Sequence, residues 1–258
     1  MREPSRPPEK KIKFAAELIR QAKHPLVLTG AGISTPSGIP DFRSEGSGLW
    51  AQSEAMEVAS LSTFRYAPLR FYEWFRPLAA QVTEAQPNAA HLALAELGRA
   101  GYLKTIITQN IDGLHQKAGS TEVIETHGTL RSLSCTQCFR QVDSAPFFPL
   151  FIKDGIIPRC AHCGAILKPD VILFGEQLPQ KAWLKAQKAA RRSDLMLVIG
   201  SSLEVLPVAG LPMQTLDRGG HLMIINQSRT YLNVRADLVF TQDAATVLPL
   251  LTEEVLTP

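Results

Sequence analysis

Residues Pro25–Ser44 read PLVLTGAGISTPSGIPDFRS. Leu26-Val27-Leu28 is a short apolar run of the kind that forms a buried strand. It stops at Gly30-Ala31-Gly32, where missing side chains let backbone N–H groups come close to a ligand. A glycine turn after a strand is a common cradle for a pyrophosphate. The dinucleotide fingerprint GxGxxG is absent, because the glycines fall at 30, 32 and 38. The glycines alone therefore fit an ordinary tight turn as well as a phosphate cradle. Asp41-Phe42-Arg43 tips the balance, placing a carboxylate, an aromatic and a guanidinium in consecutive loop positions. Binding loops need such sets more often than connecting loops do.

The pattern repeats outward from this stretch. A helical spacing over Lys10–Ala22, with Ile12, Phe14, Ala15, Leu18 and Ile19, delivers the chain to the first strand. Residues 44–80 read as a mobile, partly helical insertion, with a short helix at Pro68–Leu78. Asn88 is placed to cap a helix over Ala89–Arg99, closed by Gly101. Further strands are expected at Lys104–Thr108, Glu122–Thr126, Leu195–Ile199, Leu222–Ile225 and Ala236–Phe240, and a last helix at Ala244–Leu251. Apolar strands separated by helical segments predict an α/β fold, a parallel sheet with helices on both faces. A polar or glycine cluster follows strand after strand, at the carboxyl edge where open α/β sheets bind ligands.

Composition bounds the rest. The 258 residues are 45% hydrophobic and 20% charged, as in a soluble globular protein. A net charge of +3 is too small to argue for nucleic acid or an anionic membrane. The charged, Pro-rich start MREPSRPPEKK has no apolar run behind it, and no apolar run elsewhere is long enough to span a bilayer. A cytoplasmic location is expected, where four cysteines in two close pairs suggest metal before disulfides.

Those cysteines are the most specific physical signal in the chain. Cys135 and Cys138 form one C-x2-C, and Cys160 and Cys163 form another after 21 intervening residues. Four thiolates at this spacing suit tetrahedral Zn2+, and a complete thiolate shell leaves no open position, so the zinc is structural. His162 then has no ligand role and should face solvent. The segment between the knuckles is apolar, with only Arg140, Lys153 and Arg159 basic, which favours a scaffold over a nucleic-acid reader.

The candidate chemistry gathers at the strand ends. His127 precedes Gly128. A lone histidine is more often structural, but this one shares an edge with Asn110, Asp112 and the Gly30 loop, which argues for a base. A neutral imidazole can take a proton from a ribose hydroxyl near pH 7. Asn110 offers a donor and an acceptor, and Asp112 can accept from a carboxamide. His115 reads as structural. Gly200-Ser201-Ser202 fits a phosphate site or a plain strand-end turn, and Asn226 a ribose contact or a turn residue.

Taken in order, GAGIS with SGIPDFR, TQNIDGLHQKAG, the His127-Gly128 pair, the double C-x2-C, KPDVILFGE (168–176), GSSLEVLP (200–207) and the late Ile225-Asn226 resemble the sirtuin family of NAD-dependent protein deacylases. The likeness runs from about Lys23 to Pro249. It implies a Rossmann-like domain (1–43, 81–130 and 170–258) and a smaller domain formed by insertions (44–80 and 131–169) that carries the four-cysteine zinc ribbon. NAD and an acyl-lysine peptide would meet between them. By motif match the resemblance puts Gly30, Ala31, Gly32, Asp41, Phe42 and Arg43 in an NAD loop. Gln109, Asn110 and Asp112 would line the ribose and nicotinamide pocket, and His127 would be the general base, with Asn110 beside it in the chemistry. Gly200, Ser201, Ser202, Asn226, Ser228 and Ala244 would hold phosphates and the adenosine half. Val171, Phe174 and Gly175, facing Leu203, Glu204 and Val205, would be two edges between which a peptide adds as a strand.

The implied reaction starts with attack of the acyl-lysine amide oxygen on C1′ of the nicotinamide ribose. Nicotinamide leaves, with Phe42 shielding the site. His127 activates a ribose hydroxyl, and water finally gives free lysine and O-acyl-ADP-ribose. Sirtuins that favour succinyl groups carry Tyr-x-x-Arg in the insertion. Here Tyr72-Glu73-Trp74-Phe75 ends in Phe, and Arg76 falls one residue late, a swing of about 100° on a helix. A neutral acyl preference is therefore expected. Mono-ADP-ribosyl transfer on the same fold, an NAD-sensing binding module and zinc-ribbon nucleic-acid binding are the competing readings. The presence of His127 and Asn110 speaks against the second, and the modest charge against the third.

Overall fold

The computed structural model describes residues 6–41 and 53–257. Phe42, Arg43 and the start of the expected insertion lie outside the described residues. Helix α1 (Glu9–Gln21) buries Ile12, Ala15, Ala16 and Ile19, while Phe14 faces solvent. It leads into the wholly buried β1 (Pro25–Thr29). The insertion holds α2 (Ser53–Val58), α3 (Leu61–Tyr66) and α4 (Pro68–Glu84). Then come α5 (Ala89–Arg99), β2 (Thr105–Thr108), α6 (Leu114–Lys117) and β3 (Val123–Glu125). The chain next builds β4 (Gly128–Cys135), β5 (Gln141–Asp143), α7 (Phe148–Asp154) and β6 (Leu167–Val171). It closes with α8 (Gln180–Arg192), β7 (Leu195–Ile199), α9 (Leu211–Leu216), β8 (His221–Ile225), β9 (Leu238–Phe240) and α10 (Ala244–Leu256).

Six strands form one parallel sheet in the order β3-β2-β1-β7-β8-β9. Alternation along each strand separates its two faces. Val27, Leu197, Ile199, Met223 and Ile225 pack with α1, α5 and α10. Leu26, Leu28, Met196, Val198, Leu222 and Ile224 pack with α8 and α9 on the other side. Helices therefore cover both faces, as the strand pattern predicts. The order also fixes a switch point. The chain leaves β1 toward β2 on one side and returns with β7 on the other, which opens a crevice beyond their carboxyl ends.

A second, antiparallel sheet has the order β5-β4-β6. Its core is aromatic. Phe71, Tyr72 and Phe75 of α4 and Phe148 and Phe151 of α7 pack with Phe64, Leu133 and Leu167. Two expected ends move. Helix α4 passes Pro77 and runs to Glu84, and α10 passes Pro249 and runs to Leu256. An internal proline removes one N–H, and burial of Ala79 and Val82, and of Leu251 and Val255, continues the helix beyond it. Residue 80 thus falls inside α4, residue 130 inside β4 and residue 170 inside β6.

Candidate active site

The main chain sets the frame. Gly30 N–H donates to Ile199 O at 3.0 Å, Gly32 N–H to Gly200 O at 2.9 Å, and Gly200 N–H to Ile225 O at 3.0 Å. A Cβ on Gly30 would sit 2.7 Å from Gly200 O, one on Gly32 2.8 Å from Gly200 Cα, and one on Gly200 2.3 Å from Ile33 N. The three glycines therefore interlock β1 with β7 at the switch point. Their bareness serves that main-chain contact. Beyond Gly32, Asn88 holds the loop. Its Oδ1 accepts from Ala90 N and caps α5, while its Nδ2 donates to Ile33 O at 2.8 Å and Ser37 Oγ at 2.9 Å.

Beneath that loop lies a chain of side-chain hydrogen bonds. Asn110 Nδ2 donates to Ser34 Oγ at 3.0 Å, and Ser34 Oγ donates to Asp112 Oδ2 at 2.8 Å. Leu114 N–H donates to Asp112 Oδ1 at 2.9 Å. Ser34, Asn110 and Asp112 are all buried. Ser34 takes one N–H of the Asn110 amide and leaves the second N–H and Oδ1 to meet a ligand. Ser34 is the residue that motif reading does not single out, although it ends GAGIS. Deeper, Thr29 Oγ1 donates to Thr108 Oγ1 at 2.8 Å, and Thr108 Oγ1 accepts from Asn110 N–H at 3.0 Å. His115 Nε2 lies 3.0 Å from Thr29 Oγ1. His115 is buried in this hydrogen-bonded layer.

His127 follows β3, and its Nδ1 lies 3.1 Å from the Gln109 carbonyl. A carbonyl can only accept, so Nδ1 carries the proton and Nε2 keeps the free lone pair. Burial holds the imidazole below its ordinary pKa, with the Gln109 bond working the other way, and the ring is neutral at pH 7. Gln109 Nε2 in turn donates to Ser201 Oγ at 2.9 Å, tying the end of β2 to the end of β7. Asn226, Ser228 and Ala244 form a second group at the ends of β8 and β9. Asn226 N–H donates to Phe240 O, its Nδ2 to Ser228 O at 2.9 Å, and Gln227 Nε2 to Asp243 Oδ2 at 3.1 Å. Asp243 caps α10, which Ala244 opens. The half-buried Ala31 and Asp41 lie on the Gly30 loop, and Ser202 follows Ser201 on the β7 turn.

The expected peptide edges differ from each other. Val171 ends β6, is buried and pairs with Gly128. Phe174 N–H donates to Ala59 O at 3.0 Å and Phe174 O accepts from Leu61 N–H at 2.9 Å. Its main chain is therefore already engaged with the insertion, and the next residue, Gly175, is exposed with a φ of +87°. In the other expected edge, Leu203 is buried with a φ of +57°, Glu204 is exposed and Val205 half-buried.

The four cysteine sulfurs lie within 4.8 Å of one another. Cys135 Sγ to Cys163 Sγ is 3.4 Å, and Cys138 Sγ to Cys160 Sγ is 3.7 Å. A tetrahedron with Zn–S bonds of about 2.3 Å has edges of about 3.8 Å, so the set fits zinc. Gln137 and Cys138 N–H groups point at Cys135 Sγ at 3.5 and 3.4 Å. His162 is exposed.

The Sir2 family model matches residues 30–207. The chain is 46% identical over 243 residues to the NAD-dependent protein deacetylase of Saccharolobus solfataricus, covering 94% of this chain and 96% of that one. It is 44% identical over 248 residues to the NAD-dependent protein deacylase 2 of Archaeoglobus fulgidus, covering 96% and 97%. A solved complex of Sir2 with a p53 peptide and NAD+ superposes with a TM-score of 0.85 at 37% identity, covering 95% of this chain and 98% of that one. On its interlocked glycines, its buried Ser34-Asn110-Asp112 chain, its four-cysteine cluster and this agreement along almost its whole length, the chain belongs to the Sir2 family.

Proposed function

We propose that the protein is an NAD-dependent protein lysine deacylase that prefers acetyl and other neutral acyl groups. The observation that carries this reading is His127, a neutral imidazole whose proton is fixed on Nδ1 and whose Nε2 is free at the carboxyl edge of the sheet. NAD, when bound, would supply an electrophilic ribose carbon with nicotinamide as leaving group and an ADP-ribose that accepts the acyl group. The Gly30–Asp41 loop, with Phe42 and Arg43 after it, is the NAD-binding loop, Phe42 has the role of shielding the site, and Gly200–Ser202 hold the phosphates. Asn226, Ser228 and Ala244 hold its adenosine half, and Gln109 and Asn110 its ribose. Asp112, held as an acceptor by Ser34 and Leu114 N–H, orients the carboxamide. His127 Nε2 takes the proton of a ribose hydroxyl as that hydroxyl turns on the acyl carbon.

The acyl preference rests on the insertion. Phe75 stands where a carboxylate-binding arginine would and is buried among Phe71, Phe148 and Phe151. Arg76 donates to Ile152 O at 2.9 Å and Lys153 O at 2.6 Å and caps the end of α7. The Tyr72 hydroxyl donates to Leu167 O. That Arg76 and Tyr72 are already engaged in the fold supports the neutral preference. We also assign residues up to 41, 85–127 and 172–257 to an NAD domain, and 53–84 and 128–171 to the smaller one, so that boundaries fall at element ends. Paired thiols suited to zinc fit a reducing compartment, the cytoplasm. Among the described residues no helix is long and apolar enough to cross a membrane.

The test is mass spectrometry of acetyl-, propionyl-, myristoyl- and succinyl-lysine peptides with and without NAD. NAD-dependent loss of neutral acyl groups with O-acyl-ADP-ribose formed, slowed at least about 100-fold in His127→Ala, is the expected result. Nicotinamide release with peptides still acylated and ADP-ribose on protein overturns it.

A further inference from the structure

We propose that Lys168 and Glu176 form a positioning clamp that sets the peptide-receiving edge, an inference that rests on the deacylase reading above. Lys168 Nζ lies 2.9 Å from Glu176 Oε2 and donates to Val171 O at 2.7 Å and Pro169 O at 3.1 Å. Three acceptors use the three hydrogens of the ammonium. Glu176 Oε2 also accepts from Leu173 N–H at 2.8 Å, while Glu176 N–H donates to Leu173 O at 3.0 Å. The two side chains are only 15% and 18% exposed, so this is a built-in pair and differs from a surface pair exchanging with water.

The clamp determines which main-chain groups of 171–176 are engaged internally. Val171 O goes to Lys168 and Leu173 N–H to Glu176. Ile172 N–H goes to His127 O at 2.9 Å, so the clamped turn hangs directly from the proposed base. The neighbouring Phe174 is held by Ala59 and Leu61 of the insertion. With those groups committed, the exposed Gly175, whose φ of +87° suits glycine, stands at the apex as the open part of the edge. Among the described residues, the hydrogen bonds and ion pair of Lys168 and Glu176 go to Pro169, Val171, Leu173 and each other, none of them assigned to NAD. Their effect should therefore fall on the peptide.

Three variants test this: Glu176→Ala, Glu176→Gln and the swap Lys168→Glu/Glu176→Lys. The readouts are acetyl-peptide KM and kcat, NAD affinity by calorimetry, and amide hydrogen exchange. Glu176→Ala should raise peptide KM at least tenfold with NAD affinity within twofold of wild type. Leu173, Phe174 and Gly175 amides should exchange at least tenfold faster, and β1 and β7 amides at the wild-type rate. Glu176→Gln keeps an acceptor for Leu173 N–H and should recover part of the KM. The swap should not recover it, because it turns a carboxylate toward the carbonyls of Pro169 and Val171. Unchanged exchange at 173–175, or peptide KM and NAD affinity weakening together, overturns the clamp. A wild-type protein that does not deacylate refutes the deacylase reading instead, and the exchange arm still judges the clamp.

Discussion

The two sheets solve the same burial problem with different means. Apart from Phe240, the buried apolar side chains of the large sheet are non-aromatic on both faces, and β1 and β7 are buried at every position. The small sheet has three strands, one of them largely exposed, and its core combines ring packing with the metal ligands themselves. Phe71 stacks on Phe75 at 5.4 Å and Phe75 on Phe151 at 6.0 Å, and Cys135 and Cys160 belong to the same cluster. Where a sheet is too small to close a core, the metal shell becomes part of that core. One half stands on area, the other on area plus a four-thiolate staple.

The largest way to break this contrast is to take the metal away. A structural zinc of this kind is worth on the order of 10 kcal/mol. Chelation, or Cys160→Ser, should abolish exchange protection of β4 and β6 amides while β1, β7 and β8 amides stay protected. Loss of protection in both sheets together would mean that they fold as one unit.

A second, smaller effect sharpens the contrast from the side of the large sheet, which hides a titratable weakness. His91 and His115 are buried with ring centroids 4.9 Å apart, and His91 Nε2 and His115 Nδ1 have no partner among the described residues. Burial lowers them from 6.5 to about 4 and about 3, with Asp112 raising His91 and His91 lowering His115. The folded pKa values are depressed, so the unfolded chain takes up protons first. Stability is complete above pH 6.5 and falls as pH drops toward 4, by roughly 3 kcal/mol for each histidine. Urea midpoints from pH 7 to pH 4 should fall less steeply in His115→Leu than in wild type. Equal slopes would remove the pair from the acid response.

The smallest effect lies within the zinc module, whose two knuckles are unequal. The residue after the second cysteine is left-handed in each, Phe139 at +58° and Gly164 at +76°. Phe139 is 82% exposed and so loses no core contact on truncation. Phe139→Gly should stabilise by about 1 kcal/mol by relieving the left-handed penalty. A Cβ on Gly164 meets nothing within 4 Å, so Gly164→Ala should cost about 1 kcal/mol through conformation alone. Thermal melts of both variants check the pair, and a destabilised Phe139→Gly would mean that the ring has a role beyond this backbone.

Much of the large sheet is legible in sequence because its strands carry short apolar runs, each followed by a break. The zinc ligands are legible because spacing alone sets their chemistry. The small sheet is harder to read. Its strands are short or only partly buried, and α7 lies in a segment that reads as a loop between knuckles. Ser34 escapes for a different reason. A serine after a glycine turn is ordinary, and only the packing of the β1 loop against the β2 loop makes it the link between Asn110 and Asp112. Arg76 shows the same limit, since its cap on α7 joins positions 76 residues apart.

The interlocked glycines carry a consequence for mutational libraries. Positions 30, 32 and 200 will score as three intolerant sites in a single-residue scan, yet they are one constraint counted three times. In each case the colliding neighbour is main chain, which no second substitution can shrink. Pairwise and triple libraries across these positions should contain no compensating combinations. Diversity is better placed at Gln227, where the turn after β8 reaches solvent.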